Sequence, residues 1–149
     1  MPEQGQPQRN GPLLAFDVGA RVVGVALGST LTQPRPLTQI SVESADGLDS
    51  AIDRLIAEWQ PSALIVGRPL TLDGREQPAS QRARAFANRL RKRHDLPVSE
   101  VDERNTTRQA RERFATARAS GQARRKAGQL MDAMAAAVIM ERYLATAPD

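Results

Sequence analysis

The sequence predicts one mixed α/β domain on a five-stranded sheet, three antiparallel strands followed by two parallel ones, flanked by helices on both faces. Three observations predict it. Three short apolar runs come first, joined by connections too short for a crossover, so they must pair antiparallel. Two strand-helix-strand units follow, which favour parallel pairing with right-handed crossovers. The chain has 149 residues, 40% apolar and 26% charged, a size and composition suited to a single hydrophobic core.

Residues 1–11, rich in Gln, Pro and Gly, read as a flexible tail ahead of a domain spanning 12–146. Leu13 to Phe16 and Val22 to Leu27 are apolar runs separated by Gly19 and Ala20, the spacing of a hairpin. Leu37 to Val42 is the third strand, with Pro36 fixing an extended start. From Asp46 the period becomes helical through Leu48, Ala51, Ile52, Leu55 and Ile56, until Gln60-Pro61 stops it. Ala63 to Val66 is a buried strand closed by Gly67-Arg68-Pro69 and an Asp73-Gly74 turn. Ala79, Ala83, Phe86, Ala87 and Leu90 then form the apolar stripe of a helix whose other face is arginine-rich. Val98 to Val101 is the last strand, and Thr106 with Gln109 has the form of a capping box for a helix reaching Phe114. Residues 115–127 read as a mobile basic loop. Gln129 to Leu144 is helical and apolar on nearly every side, which predicts a buried helix.

Composition removes several chemistries. No cysteine is present, which excludes disulfides, zinc-thiolate sites, iron-sulfur clusters and thiol nucleophiles. The single histidine, His94, ends a basic helix beside Asp95, a plain helix-terminal role, so the usual Ser-His-Asp arrangement is not expected. No run of about 18 apolar residues could span a bilayer, and no signal-peptide core opens the chain. A cytoplasmic protein without membrane contact is expected. Five aromatic residues, with Trp59 packing at a helix end, are too few for a base-stacking platform.

Three acids stand where a carboxylate is energetically awkward. Asp17 ends an apolar strand, Glu103 ends another, and Asp132 lies within Leu130-Met131-Asp132-Ala133-Met134-Ala135. An unpaired buried carboxylate costs several kcal/mol, so each needs a cation, a donor or water. Convergence on Mg2+ or Mn2+ would meet that need, because such hard ions take oxygen ligands and can activate water at a phosphodiester. Plainer roles stand beside this one: a turn for Asp17, an ion pair with Arg104 or Arg108 for Glu103, and a structural pair with Arg21 or the Arg124 to Lys126 cluster for Asp132. Asp102 either assists or faces solvent, and Thr106 and Thr107 read as caps.

The net charge is +4, and 19 of the 21 basic residues are arginine. Residues 82–127 carry net +9, leaving −5 for the rest. Such a concentrated field attracts phosphate backbones in a salt-dependent, sequence-independent way, so nucleic acid is the expected partner.

Four segments in order carry a family resemblance. Asp17-Val18-Gly19-Ala20-Arg21-Val22-Val23-Gly24-Val25-Ala26 resembles the opening motif of the YqgF/RuvX proteins, compact bacterial RNase-H-like nucleases. Ile65-Val66-Gly67-Arg68-Pro69 with Asp73-Gly74 resembles their second block. Val101-Asp102-Glu103-Arg104-Asn105-Thr106-Thr107 resembles the third and most specific, and Met131-Asp132-Ala133-Met134-Ala135-Ala136 the last. The resemblance covers residues 13–144. It implies an RNase-H-like fold, divalent-metal phosphodiester cleavage with Asp17, Glu103 and Asp132 as catalytic carboxylates, and 5′-end processing of pre-16S rRNA or Holliday-junction resolution. Precursor rRNA or branched DNA, and association with ribosomal particles, follow from it as partners for a monomer or homodimer. Arg21, Arg68, Arg104, Arg108, Arg124, Arg125 and Lys126 are the expected phosphate contacts. The chain departs from the pattern in lacking a basic residue at Val22 and an acid at Thr30.

Two readings of other classes compete. An actin-like ATPase or sugar kinase also opens on Asp-x-Gly, but needs a second lobe and phosphate loop. A non-catalytic RNA-binding or ribosome-assembly module would keep the basic face without cleavage.

Overall fold

The structure, a computed structural model, describes residues 11–71, 73–102 and 127–146. Five strands form one sheet: β1 (Leu13–Val18), β2 (Val22–Gly28), β3 (Arg35–Ser41), β4 (Ala63–Arg68) and β5 (Val98–Asp102). Their spatial order is β3-β2-β1-β4-β5. β1 pairs antiparallel with β2, β2 antiparallel with β3, β1 parallel with β4, and β4 parallel with β5. This is the mixed sheet the element order predicts. The helix expected near Phe114 and nearly all of the basic loop at 115–127 lie outside the described residues. Gly11, placed by sequence in the tail, is buried, and the Pro12 carbonyl accepts a hydrogen bond from the Ser62 amide at 2.8 Å.

Three helices are described. α1 (Ala45–Trp59) starts at Ser44, whose hydroxyl accepts from the Gly47 amide at 3.0 Å. It ends at Gln60, which takes the left-handed conformation (φ 47°) and returns its N–H to the Ile56 carbonyl. α2 (Pro78–Arg93) has Pro78 in its first turn, where the missing N–H costs nothing. The wholly buried Ser80 there accepts from the Gln77 amide at 3.1 Å and donates to the Pro69 carbonyl, tying the helix to the end of β4. α3 (Ala127–Thr146) extends the predicted apolar helix by two residues at each end.

Strand alternation sends side chains to two separate cores. On one face Leu14, Phe16, Val23, Val25, Leu64 and Val66 meet α1 and α2 through Leu48, Ile52, Ala83, Phe86 and Leu90. The Phe16 and Phe86 rings pack tilted with centroids 5.4 Å apart. On the other face Leu13, Ala15, Ala26, Ala63 and Ile65 meet α3 through Ala136, Ala137, Ile139 and Met140. Helices on both faces are thus what the sheet requires to cover its apolar surfaces.

β3 begins two residues earlier than expected and contains Pro36. An edge strand tolerates proline because one side of its backbone has no partner to lose. Pairing also shifts between Val25 and Ala26, which oppose Thr38 and Pro36, so Leu37 is the extra residue of a bulge.

The arginine-rich face of α2 is largely engaged with acids. Buried Asp49 of α1 accepts from both Nε (2.8 Å) and Nη2 of Arg89. Arg93 reaches Asp53 at 2.7 Å and Asp49 at 3.6 Å, with His94 Nε2 lying 3.3 Å from Asp53. Arg91 contacts Glu100 of β5 at 3.2 Å, and Arg84 pairs with Glu76. These residues clamp α2 to α1 and β5 before they can serve as a phosphate surface. The bond from Arg89 holds the Asp49 carboxyl below its usual range, so this stabilisation is present at neutral pH and lost as pH falls below about 4. Asp49→Asn is expected to cost about 1–3 kcal/mol at pH 7, at the lower end because the guanidinium is half exposed. Urea unfolding of both proteins checks it: their difference should shrink towards pH 3.

Candidate active site

Leu13 and Ala15 face α3, and alternation along β1 carries Asp17 to that same face. Directly opposite Asp17 in register is Gly24 of β2. A Cβ at Gly24 would lie 2.0 Å from the Asp132 carbonyl oxygen and 2.7 Å from the Ala133 amide nitrogen. No side chain fits between β2 and the helix. Farther along β2, a Cβ at Gly28 would lie 2.4 Å from the Met140 sulfur. From Asp132 to Met140 the helix advances about 12 Å, and from Gly24 to Gly28 the strand advances about 13 Å. α3 therefore runs along β2 in the same direction, seated on glycines, and its first half delivers Asp132 beside Asp17.

Both carboxyl groups hold a proton more tightly than a free carboxyl does. Burial pushes the Asp17 carboxyl up to about 7, and the negative charge of Asp132 adds to the shift. Burial also raises Asp132. Among the described residues neither carboxylate is paired with a basic side chain or accepts a hydrogen bond. Two half-buried acids without a neutralising partner form a site that favours protons or a cation. The described residues hold no group of three His, Cys, Asp or Glu suited to a metal, and the third predicted acid, Glu103, lies outside them.

The predicted phosphate contacts divide. Arg21 is exposed in the β1–β2 turn, near the end of β1 that carries Asp17, and its carbonyl accepts from the Val42 amide at 2.9 Å. Arg68 ends β4 in register with Asp102 of β5. Alternation puts Arg68 with Leu64 and Val66 on the α1/α2 face, away from Asp17, and its Nε is buried without a hydrogen-bond partner among the described residues. Asp102 follows the same alternation as Val98 and Glu100 onto that face. Arg104, Arg108, Arg124, Arg125 and Lys126 lie outside the described residues. Sequence reasoning missed Gly24 as a site residue. Its signal was a glycine inside an apolar strand, the mark of a close backbone approach.

A β3-β2-β1-β4-β5 sheet covered by helices on both faces is an RNase-H-like fold. Two solved structures share this fold. The fowlpox virus Holliday junction resolvase superposes with TM-score 0.56 at 11% identity, covering 91% of this chain and 98% of that one. Thermus thermophilus RuvC bound to a Holliday junction superposes with TM-score 0.51 at 15% identity, covering 89% and 94%. Residues 11–146 match the family model RuvX, described as Holliday junction resolvase. A protein of Xanthomonas axonopodis pv. citri named "Putative pre-16S rRNA nuclease" is 51% identical over all of this chain and 96% of its own length. A protein of the same name from Xanthomonas campestris pv. campestris is 49% identical over the same shares. The chain belongs to the RuvX family of nucleic-acid hydrolases.

Gly24→Ala should force α3 off β2 and cost about 1–3 kcal/mol by overpacking, visible as a lower urea midpoint. The Asp17 shift sets a second expectation. Its raised pKa favours the fold while both states hold the proton, below about 4, and that advantage is lost as pH rises towards 7. In EDTA at pH 8, Asp17→Asn should therefore melt above the wild type, and the gap should close at pH 4.

Proposed function

We propose that this protein is a divalent-metal-dependent nuclease for structured nucleic acid, acting in 5′-end processing of pre-16S rRNA. The observation that carries the reading is the meeting of Asp17 and Asp132 across Gly24, where burial and like charge raise the proton affinity of Asp17. Hard oxygen donors with raised proton affinity fit Mg2+ or Mn2+. Asp17 and Asp132, joined by Glu103 one residue beyond β5, are the residues that would hold it. When bound, the metal supplies water activation and charge neutralisation at the scissile phosphate.

The chain's own residues do the rest. Asp17 must release its proton to accept a cation, so metal affinity rises as pH passes about 7. The burial that raises both carboxyls also limits their access to bulk water, which strengthens their hold on a cation. Arg21, exposed at the rim, is placed to receive a backbone phosphate. The basic residues at 104, 108 and 124–126 would extend that grip. The names of the Xanthomonas relatives favour rRNA over junction DNA. A cytoplasmic location and contact with precursor ribosomal particles go with this reading.

A cleavage panel tests it: precursor 16S rRNA beside four-way DNA junctions, each with Mg2+, Mn2+ or EDTA. Metal-dependent cutting of the rRNA is expected, reduced about 100-fold or more in Asp17→Asn and Asp132→Asn with folding and RNA binding retained. Preferential cutting of the junction would favour a resolvase. Tight RNA binding without cutting under any metal would leave a non-catalytic assembly module.

A further inference from the structure

We propose that Arg82 is a phosphate-binding residue: it receives the backbone of the nucleic acid where the strand passes the first turns of α2, at the end of the sheet that carries Asp17. The inference deepens the nuclease reading and rests on it, but calls on no metal ligand. α2 carries six basic side chains, Arg82, Arg84, Arg89, Arg91, Lys92 and Arg93. Four of them are taken by acids: Arg84 by Glu76, Arg89 by Asp49, Arg91 by Glu100 and Arg93 by Asp53. Arg82 and Lys92 are exposed and have no ion pair or hydrogen bond among the described residues.

The packing of α2 against α1 explains why Arg82 is left over. Arg89 with Asp49 and Arg93 with Asp53 are both pairs 40 residues apart, so the two helices run in the same direction with a fixed offset. Arg82 precedes Arg89 by one heptad, which brings it back to the same side of the helix within about 20°. By that offset it faces position 42, and Val42 lies ahead of the Ser44 cap, before α1 begins. The first turns of α2 thus project past the end of α1, and the stripe that meets acids farther down meets none here. Those turns stand at the Asp17 end of the sheet. Phe16 pairs with Val66, so Asp17 is level with Gly67, and buried Ser80 donates to the carbonyl of Pro69 just beyond. At the opposite end Arg91 donates to the carbonyl of Val98, the first residue of β5, at 3.1 Å. Lys92 lies with Arg91 at that far end, about 15 Å from Arg82 along the axis. Helical side chains lean towards the N-terminus, which directs Arg82 towards the Asp17 end. Val42 is also the residue whose amide bonds the Arg21 carbonyl, at 2.9 Å. Two exposed arginines without partners among the described residues, Arg21 and Arg82, therefore flank one point on the rim, the first near the carboxylates and the second over the α1/α2 layer. A backbone crossing that rim meets a cation on each side, and fork-shaped guanidinium groups suit its phosphates.

The test is salt-dependent binding of two labelled probes to the full chain: a precursor 16S rRNA fragment containing the 5′ processing region, and a four-way DNA junction. EDTA is present so that nothing is cut. Wild type is compared with Arg82→Met, Arg82→Lys and Lys92→Met, the last removing the same charge from the same helix at the far end, and thermal melting is followed in parallel. One lost phosphate contact lowers the slope of log affinity against log salt by about one unit, and with it the affinity by about 10-fold at ~0.1 M salt. Arg82→Met is expected to show both changes on the probe that wild type binds, with its melting temperature nearly unchanged. Arg82→Lys should keep the slope because it keeps the charge, and Lys92→Met should match wild type. An unchanged slope in Arg82→Met, an equal loss in Lys92→Met, or a loss that only follows a lower melting temperature would each overturn the inference. In those cases the wild type still binds its probe and cuts it once metal is restored, and the nuclease reading stands. A wild-type chain that binds neither probe would overturn both.

Discussion

The close seating of α3 on β2 is the constraint on which the site depends. At Gly24 the helix backbone comes so near that no side chain can stand between, and the position across the sheet from Gly24 is Asp17. Packing therefore puts two acids together that would separate if the helix could ride higher. The apolar contacts of Ala133, Ala136, Ala137, Ile139 and Met140 hold the helix down. The raised proton affinity of Asp17 and Asp132 is the electrostatic cost of that arrangement.

The two faces of the sheet divide the charge. On the α1/α2 side, acids and arginines far apart in sequence meet: Asp49 with Arg89, Asp53 with Arg93, Glu100 with Arg91. These contacts anchor helices over a core that contains Phe16 and Phe86. On the α3 side Asp17 and Asp132 have no such partners among the described residues. Among the described residues, charge on the first face is neutralised within the scaffold, whereas the acids on the second face are not.

Much of this was legible in the sequence. The strand-turn-strand spacing around Gly19 and the change of period at Asp46 gave the topology, because hydrophobic patterning and connection length restrict the possible pairings. Asp132 stood out because a carboxylate among alanines and methionines has no local partner. Asp17 was visible as the polar end of an apolar strand and the start of a family-like motif, but its environment needed the fold. What sequence could not give was pairing at long range. Nothing local distinguishes Arg89, bound to Asp49, from Arg82 on the same helix, so the basic stretch read as one regional field of net positive charge. Gly24 looked like one more glycine in a motif until α3 was laid upon it.

The proline and bulge in β3 bear on how the protein behaves in a crowded solution. An outermost strand with an even, unbroken row of amide donors invites a neighbouring chain to add itself to the sheet. Here Pro36 deletes one donor and the extra residue at Leu37 twists the row out of line, so a recruited strand would lose its ladder within a few residues. That border is thereby guarded against intermolecular sheet growth and fibril seeding by the strand's own sequence.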